Sequence, residues 1–405
     1  LVDKTACGIN TNIVDVSDCL RQTDPRKTDK TMKSDPKSNP ISLDLVVVGG
    51  GLAGCAMVWQ AMRRGLNVAL VDQLSPDCSS RVAAGLVTPI TGSRLALSWK
   101  FKEFFNEANE LYRYAESQQS TSFWTVSPAL RIFSSVQERD VFQDRWARPE
   151  YLDPNDILHM RILASEELDG FHAPHGGFIM SPAARLSTQV YIESTRRLLD
   201  AKGLLFEVLI DLHTEMIPND QDFEFPSLQI RAGYVCLAQG IDARANGWFG
   251  SLPLHPARGD ILHVLAKAPQ VDQVVHGDGW LVPLGGREFL VGATYARDAQ
   301  SCMVESPVGI AAREELLRRW ESFFKPTVPI IESIEQRAAV RPASYDRHPL
   351  IGSHPKYPKL YCLNGLGSKG SLMAPMLANH LLDHLQLGTP IDGDLDWSRR
   401  EARRT

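Results

Sequence analysis

The chain of 405 residues is long enough to bury more than one core, and its 43% hydrophobic and 22% charged residues are ordinary for a soluble globular protein. A formal net charge of -5 provides no global attraction to nucleic acid or anionic lipid, and every apolar run falls far short of the ~20 residues a bilayer crossing requires. The cysteines Cys7, Cys19, Cys55, Cys78, Cys236, Cys302 and Cys362 are odd in number, scattered and without a C-x-x-C pair, which argues against a disulfide framework or a zinc site and fits a reducing, cytoplasmic compartment.

Residues 1 to 40 carry no apolar signal-like core, and from Arg21 to Pro40 the Lys, Asp, Thr, Ser and Pro composition predicts a disordered tail. The informative stretch follows. Leu43 to Val48 reads as a buried strand that ends in Gly49-Gly50-Gly51-Leu52-Ala53-Gly54 and passes into a helix through Arg64. Gly65 stops that helix, Asn67 to Val71 forms a second strand, and Asp72 stands at its carboxyl end. In such a βαβ unit Gly49 permits the tight turn, Gly51 admits a pyrophosphate to the backbone and Gly54 lets helix and strand pack closely. The first-turn amides then face phosphate, and Asp72 accepts from the adenosine ribose while repelling a 2'-phosphate. NADP is disfavoured on these grounds; FAD and NAD both fit.

The small residues from Asp77 to Pro89 suit a backbone lying close to a flat ligand. Ser98 to Ala115 carries Trp99, Phe101, Phe104, Phe105, Ala108, Leu111 and Tyr112 at helical spacing, the mark of a core stripe. Residues 120 to 170 alternate short apolar runs with turns, as a separate mixed sheet would. His172 and His175 lack a carboxylate or thiol partner at ligand spacing, so no metal site is expected. A helix is predicted over Ala184 to Ala201, strands over Leu204 to Ile217 and Phe225 to Ala232, and a further strand from Tyr234 that ends at Gly240. From Pro253 to Tyr295 the alternating polarity predicts antiparallel strands, followed by a helix over Val308 to Phe323. Leu360 to Ser371 repeats the strand and glycine turn, feeding a helix over Leu372 to Leu387.

Several blocks, in order, resemble the D-amino-acid oxidase and glycine oxidase family of FAD flavoproteins from about Leu43 to Leu387. They are the first glycine turn, Ser79-Ser80-Arg81 with Ala83-Ala84-Gly85, Gly176-Gly177-Phe178, Pro256 to Asp260, Leu281-Val282-Pro283 with Val291 to Thr294, Val340-Arg341-Pro342, and Gly365 to Pro375. The resemblance moves the cofactor from NAD to FAD, expected to be non-covalent because no cysteine lies in the Arg341 or Gly367 blocks. It implies an α/β fold with a Rossmann-like, glutathione-reductase-type FAD domain (41–95, 176–250 and 331–395) and an antiparallel α+β substrate domain (96–175 and 251–330). It further implies that FAD contacts Gly49, Gly51, Leu52, Ala53, Gly54, Asp72, Gln73, Ser80, Arg81, Ala84, Gly85, Leu212, Ala238, Gly240, Gly367, Lys369, Gly370, Ser371 and Leu372.

Within the resemblance Arg341 holds the substrate carboxylate, as two parallel guanidinium donors suit. Lys369 would stabilise negative charge on the reduced ring. The turn at Gly367-Ser368-Lys369-Gly370 is more similar to the flavin domain of the bifunctional tRNA wobble-uridine modification enzymes than to glycine oxidase. Trp280 stands where the small amino-acid oxidases carry a substrate-facing tyrosine, Leu284 where an arginine often follows the proline, and Ser368 where glycine oxidase has a second arginine. The expected reaction is removal of a hydride equivalent from the carbon bearing an amine to flavin N5, with an amino acid or small amine as substrate and the electron acceptor left open. Two alternatives stand beside it. One is oxidation of a secondary amine or modified tRNA base, with the basic run Ser398 to Arg404 touching phosphate; the other is a flavin-binding module without turnover.

Overall fold

The first strand, Ile41–Val48, sets the layering. Leu45 and Val47 point into one apolar core and Leu43, Val46 and Val48 into another, so the strand is buried on both faces as an interior parallel strand must be. It pairs in parallel with Val68–Asp72 on one side and Ile230–Leu237 on the other, and Leu205–Glu207 and Leu360–Asn364 extend the parallel array outward. Eight strands make up this sheet. The computed structural model describes residues 39–75, 77–92, 94–148, 157–250, 252–297, 303–324 and 327–400, and all but two residues of the expected tail lie outside them.

One face of the parallel sheet is covered by the helices Leu52–Arg63, Phe101–Ser117, Thr188–Ala201 and Gly370–Leu387, whose apolar sides share a core with Leu45 and Val47. On the other face Leu212, Met216, Ala243, Phe249, Leu252 and Leu254 pack over the sheet, and Phe223 and Phe225 are buried on the same side. A second, nine-stranded and largely antiparallel sheet is centred on the long pair Ala257–Lys267 and Ile330–Arg341. The helix Pro307–Phe323 buries Leu316 and Trp320 against it. Among the described residues no helix is long and apolar enough to cross a membrane.

Several elements differ from the sequence expectation. The aromatic stripe of Phe101–Ser117, grouped from sequence with the substrate domain, packs on the parallel-sheet side, where Phe104, Leu111 and Tyr112 fill the core between the first and last helices. Gly177–Ser181 and most of Ile330–Arg341, grouped with the FAD domain, are strands of the antiparallel sheet. Ala184–Leu186 is a short strand, because its backbone pairs with Leu86–Val87 and Trp124–Val126; the helix begins only at Thr188. The apolar run from Leu204 to Ile217 breaks at Asp211, whose carboxylate accepts from the His213 amide and caps the short helix Leu212–Glu215. Phe223–Phe225 and Ile230–Leu237 form one hairpin, with Gln229 in the left-handed region at its corner.

Candidate active site

At the carboxyl ends of the parallel strands, where the antiparallel sheet closes over them, lies a cavity of about 800 Å³. That is within the roughly 300–1,000 Å³ range of ligand and cofactor sites. It opens at the strand ends, where ligands bind in open α/β sheets.

The first turn builds one wall. Gly49 has φ +104°, and a Cβ there would stand 2.5 Å from the Ala238 carbonyl oxygen, so both its conformation and its neighbour demand glycine. A Cβ at Gly54 would lie 1.8 Å from the Gly49 oxygen, which fixes how closely the helix approaches the strand. The Gly50 amide donates to Asp72 Oδ1 at 2.9 Å and the Leu52 amide to Ser80 Oγ at 3.0 Å. The Ala53 and Gly54 amides have no acceptor among the described residues, an arrangement suited to an anion at a helix N-terminus. Asp72 is also gripped by Arg196, a 3%-exposed side chain of the helix Thr188–Ala201 that pairs with Glu207 at 2.6 Å. One turn earlier on that helix Glu193 pairs with Arg81 at 2.5 Å. A single helix therefore braces two residues expected to face the nucleotide.

The far wall comes from the adjoining strands. The Ala238 amide donates to the Val48 carbonyl at 2.8 Å, and Asn364 Nδ2 donates to the Gly240 carbonyl at 2.8 Å. The last helix follows, with Gly367, Gly370 and Ser371 lining the cavity and Tyr112 donating to the Ser371 carbonyl at 2.9 Å.

The antiparallel sheet supplies Arg341 and Trp280. Arg341 Nη1 donates to the carbonyls of Thr294 at 3.2 Å and Arg258 at 3.4 Å, and its Cζ lies 5.6 Å from the centre of the Tyr295 ring. No carboxylate pairs with it and no acceptor meets its Nε or Nη2 among the described residues. Burial pulls its pKa below the ordinary arginine value, against the opposing influence of Tyr295 and Asp260. Behind it Arg258 and Asp260, each 1% exposed, form a two-pronged ion pair at 2.9 and 2.8 Å. The Trp280 ring rests on Gly292, where a Cβ would come within 2.1 Å of it.

Gly49, Gly51, Leu52, Ala53, Asp72, Gln73, Ser80, Arg81, Ala84, Gly85, Ala238, Gly240, Gly367, Gly370, Ser371, Trp280 and Arg341 thus meet around one cavity. Four residues expected there do not line it. Gly54 acts through packing, and Leu372 is buried in the helix core. Leu212 is buried on the opposite face of the sheet, where Val208 to Ile210 form the cavity edge in its stead. Lys369 turns its ammonium onto Ser98 Oγ at 2.7 Å, and burial lowers its pKa to about 8. Sequence reading missed Arg196, Gly259 and Asn364. Arg196 alone left a trace, a charge at a helical position between the apolar Ile192 and Leu199. No three His, Cys, Asp or Glu side chains gather as a metal would require, among the described residues.

A glycine turn at the end of a parallel strand, with an antiparallel sheet over it, gives the protein the architecture of a nucleotide-binding α/β fold. The sequence from residue 44 to 384 matches the FAD dependent oxidoreductase family (DAO), and the chain belongs to that family. FAD is its cofactor, and the residues fit it: a Cβ at Gly51 would intrude on the cradle to within 2.8 Å of Ser80 Oγ, and unsatisfied amides stand beside the turn. Among curated relatives, the chain is 26% identical over 357 residues to the "tRNA 5-methylaminomethyl-2-thiouridine biosynthesis bifunctional protein MnmC" of Acinetobacter baylyi, covering 84% of this chain and 52% of that protein. It is 28% identical over 375 residues to the protein of the same name from Marinobacter nauticus, covering 84% and 55%. The chain thus spans about half the length of these relatives. Among solved structures, iminodiacetate oxidase from a Chelativorans species superposes with a TM-score of 0.69 at 20% identity, covering 86% of this chain and 96% of that one. Glycine oxidase from Geobacillus kaustophilus gives 0.70 at 18%, covering 87% and 96%.

Proposed function

We propose that this FAD-dependent oxidoreductase oxidises the C–N bond of a small amine or amino acid that carries a carboxylate. The observation that carries the reading is Arg341, a cavity-lining guanidinium whose Nε and Nη2 donors have no protein acceptor among the described residues. Two parallel charge-assisted donors match a carboxylate. FAD, when bound, supplies the two-electron acceptor for the oxidation. The protein's own part is to anchor the acid group on Arg341, to hold the amine-bearing carbon beside Trp280, and to exclude water. Gly49 to Ala53 and Asp72 would hold the nucleotide half of the cofactor, and Gly367 to Ser371 its far end.

A second reading has support from the relatives named for tRNA 5-methylaminomethyl-2-thiouridine biosynthesis: the amine would be borne on a tRNA base. One residue offered for phosphate contact is committed elsewhere. Arg399 is buried and donates to both carboxylate oxygens of Asp346 at 2.9 and 2.8 Å. Burial alone would raise the Asp346 pKa, but the bonds from Arg399 hold it well below the usual carboxylate range. Residues 401 to 404 lie outside the described residues.

The test is anaerobic mixing of the holoenzyme with glycine, sarcosine, iminodiacetate, D- and L-amino acids and their decarboxylated counterparts, following bleaching of flavin absorption at about 450 nm. The carboxylated amines should bleach the flavin, and Arg341→Ala should require at least about tenfold more substrate with flavin still bound. Bleaching by the decarboxylated amines alone would refute the carboxylate reading. Bleaching only by a tRNA, in a salt-sensitive manner, would favour the second.

A further inference from the structure

We propose that Gly259 is the seat of the substrate-anchoring guanidinium; this rests on the carboxylate-binding reading above. Gly259 lies in the strand Ala257–Lys267, opposite Ala339 of the strand that ends at Arg341. An ideal Cβ at position 259 would stand 2.0 Å from Arg341 Nη2, 2.2 Å from Cζ and 2.3 Å from Nη1. All three distances are far inside van der Waals contact, so the Nη1–Cζ–Nη2 end of the guanidinium occupies the space that any other residue's side chain would take. This reason for a glycine is independent of backbone conformation, since Gly259 is not among the residues of positive φ.

The end of the guanidinium is fixed as well. Nη1 donates to the carbonyls of Thr294 and Arg258. Both of those residues are bound by Asp260. Its amide donates to Thr294 Oγ1 at 2.9 Å, that hydroxyl donates to Oδ2 at 3.2 Å, and Arg258 donates to both carboxylate oxygens. Gln336 Nε2 adds a bond to Oδ1 at 2.9 Å from the neighbouring strand. With its end seated on Gly259 and Nη1 held by the two carbonyls, the edge left for a ligand is Nε with Nη2. That edge carries two parallel N–H donors and suits a planar, two-oxygen anion. Gly259 is therefore a positioning residue, acting on substrate through Arg341.

The experiment uses FAD-loaded parent, Gly259→Ala, Arg341→Ala and the double variant. Benzoate and its uncharged counterpart benzamide are the probes, each titrated against the flavin absorption spectrum, with a thermal melt of all four proteins. Gly259→Ala should keep parental flavin content and benzamide binding and bind benzoate about tenfold or more weakly, the effect of losing one charge-assisted hydrogen bond. The melts supply a second readout that also serves if Gly259→Ala folds poorly. The added methyl should lower the melting temperature in the parent and leave it nearly unchanged in the Arg341→Ala background, where the group it collides with is gone. Equal lowering in both backgrounds overturns the inference, as does parental benzoate binding by a folded Gly259→Ala. If Arg341→Ala loses benzoate while Gly259→Ala does not, only the seat is refuted. Parental benzoate binding by Arg341→Ala refutes the carboxylate reading itself.

Discussion

Lys369 shows how a single side chain can depart from what its sequence neighbours suggest. The glycines on either side place its backbone at the tip of the last helix, but its ammonium is drawn to Ser98, a residue 271 positions away that no local pattern connects to it. Burial brings its pKa from 10.5 to about 8. The unfolded chain keeps this proton up to the higher value and the folded chain releases it at the lower one, so between the two the unfolded state binds more protons. Stability contributed by this group therefore rises with pH across that window, and below about 8 the full penalty of burying a charge applies. Lys369→Met in the apoprotein should raise the melting temperature relative to the parent most below pH 8, with the gain shrinking as pH approaches 10.5. A difference that does not vary with pH would contradict this. By contrast the place of Arg341 on the cavity wall was anticipated from the resemblance of its Val-Arg-Pro block, since residue type alone fits a structural salt bridge equally well. The glycine beneath it was not legible, since its cause is a side chain 82 positions further on, across a strand pairing.

Among the elements, the first strand, turn and helix form the most locally encoded unit of the molecule. Glycine spacing, the apolar run and the terminal acid lie within 32 residues, from Ile41 to Asp72, and the structure realises all three. The prediction at this scale concerns the packing of helix on strand. Gly54→Ala would put a methyl onto the Gly49 carbonyl, and such overpacking costs about 1–3 kcal/mol. The helix must withdraw, taking its first-turn amides with it, so flavin content and melting temperature should fall together. A variant that purifies with parental yellow colour and an unchanged melt would show that the turn tolerates a side chain. Elsewhere, element type was more legible than element membership. The stripe of Phe101–Ser117 announced a buried helix, but a stripe does not say which core it fills; that choice depended on the fit of Phe104 and Tyr112 between two helices distant in sequence. The run after Leu204 is strand over Leu205–Glu207 and again at Ile217–Pro218 but not between them, because Asp211, a capping residue, interrupts an otherwise apolar stretch. Leu212, which the resemblance implied as a flavin contact, faces the core instead.

In the molecule as a whole, the site lies where the ends of the parallel strands meet the inner face of the antiparallel sheet, and neither sheet holds it alone. Cys78 is the cysteine that lines the cavity among the described residues, and burial pushes its thiol pKa up, away from the reactive thiolate. A covalent flavin link is accordingly not expected. Acid or heat should release the yellow colour into the supernatant, and colour retained on precipitated polypeptide would contradict this.

The strand Leu360–Asn364 joins the parallel sheet beside Ile230–Leu237 and leads into the helix whose tip completes the cavity. A ribosome making this protein has therefore released the first glycine turn long before it makes the residues that line the far end of the cavity. The nascent chain carries one wall of the cavity without the other through most of its synthesis. Polypeptides that end before Leu360 should therefore purify colourless, and yellow colour in such a fragment would contradict this.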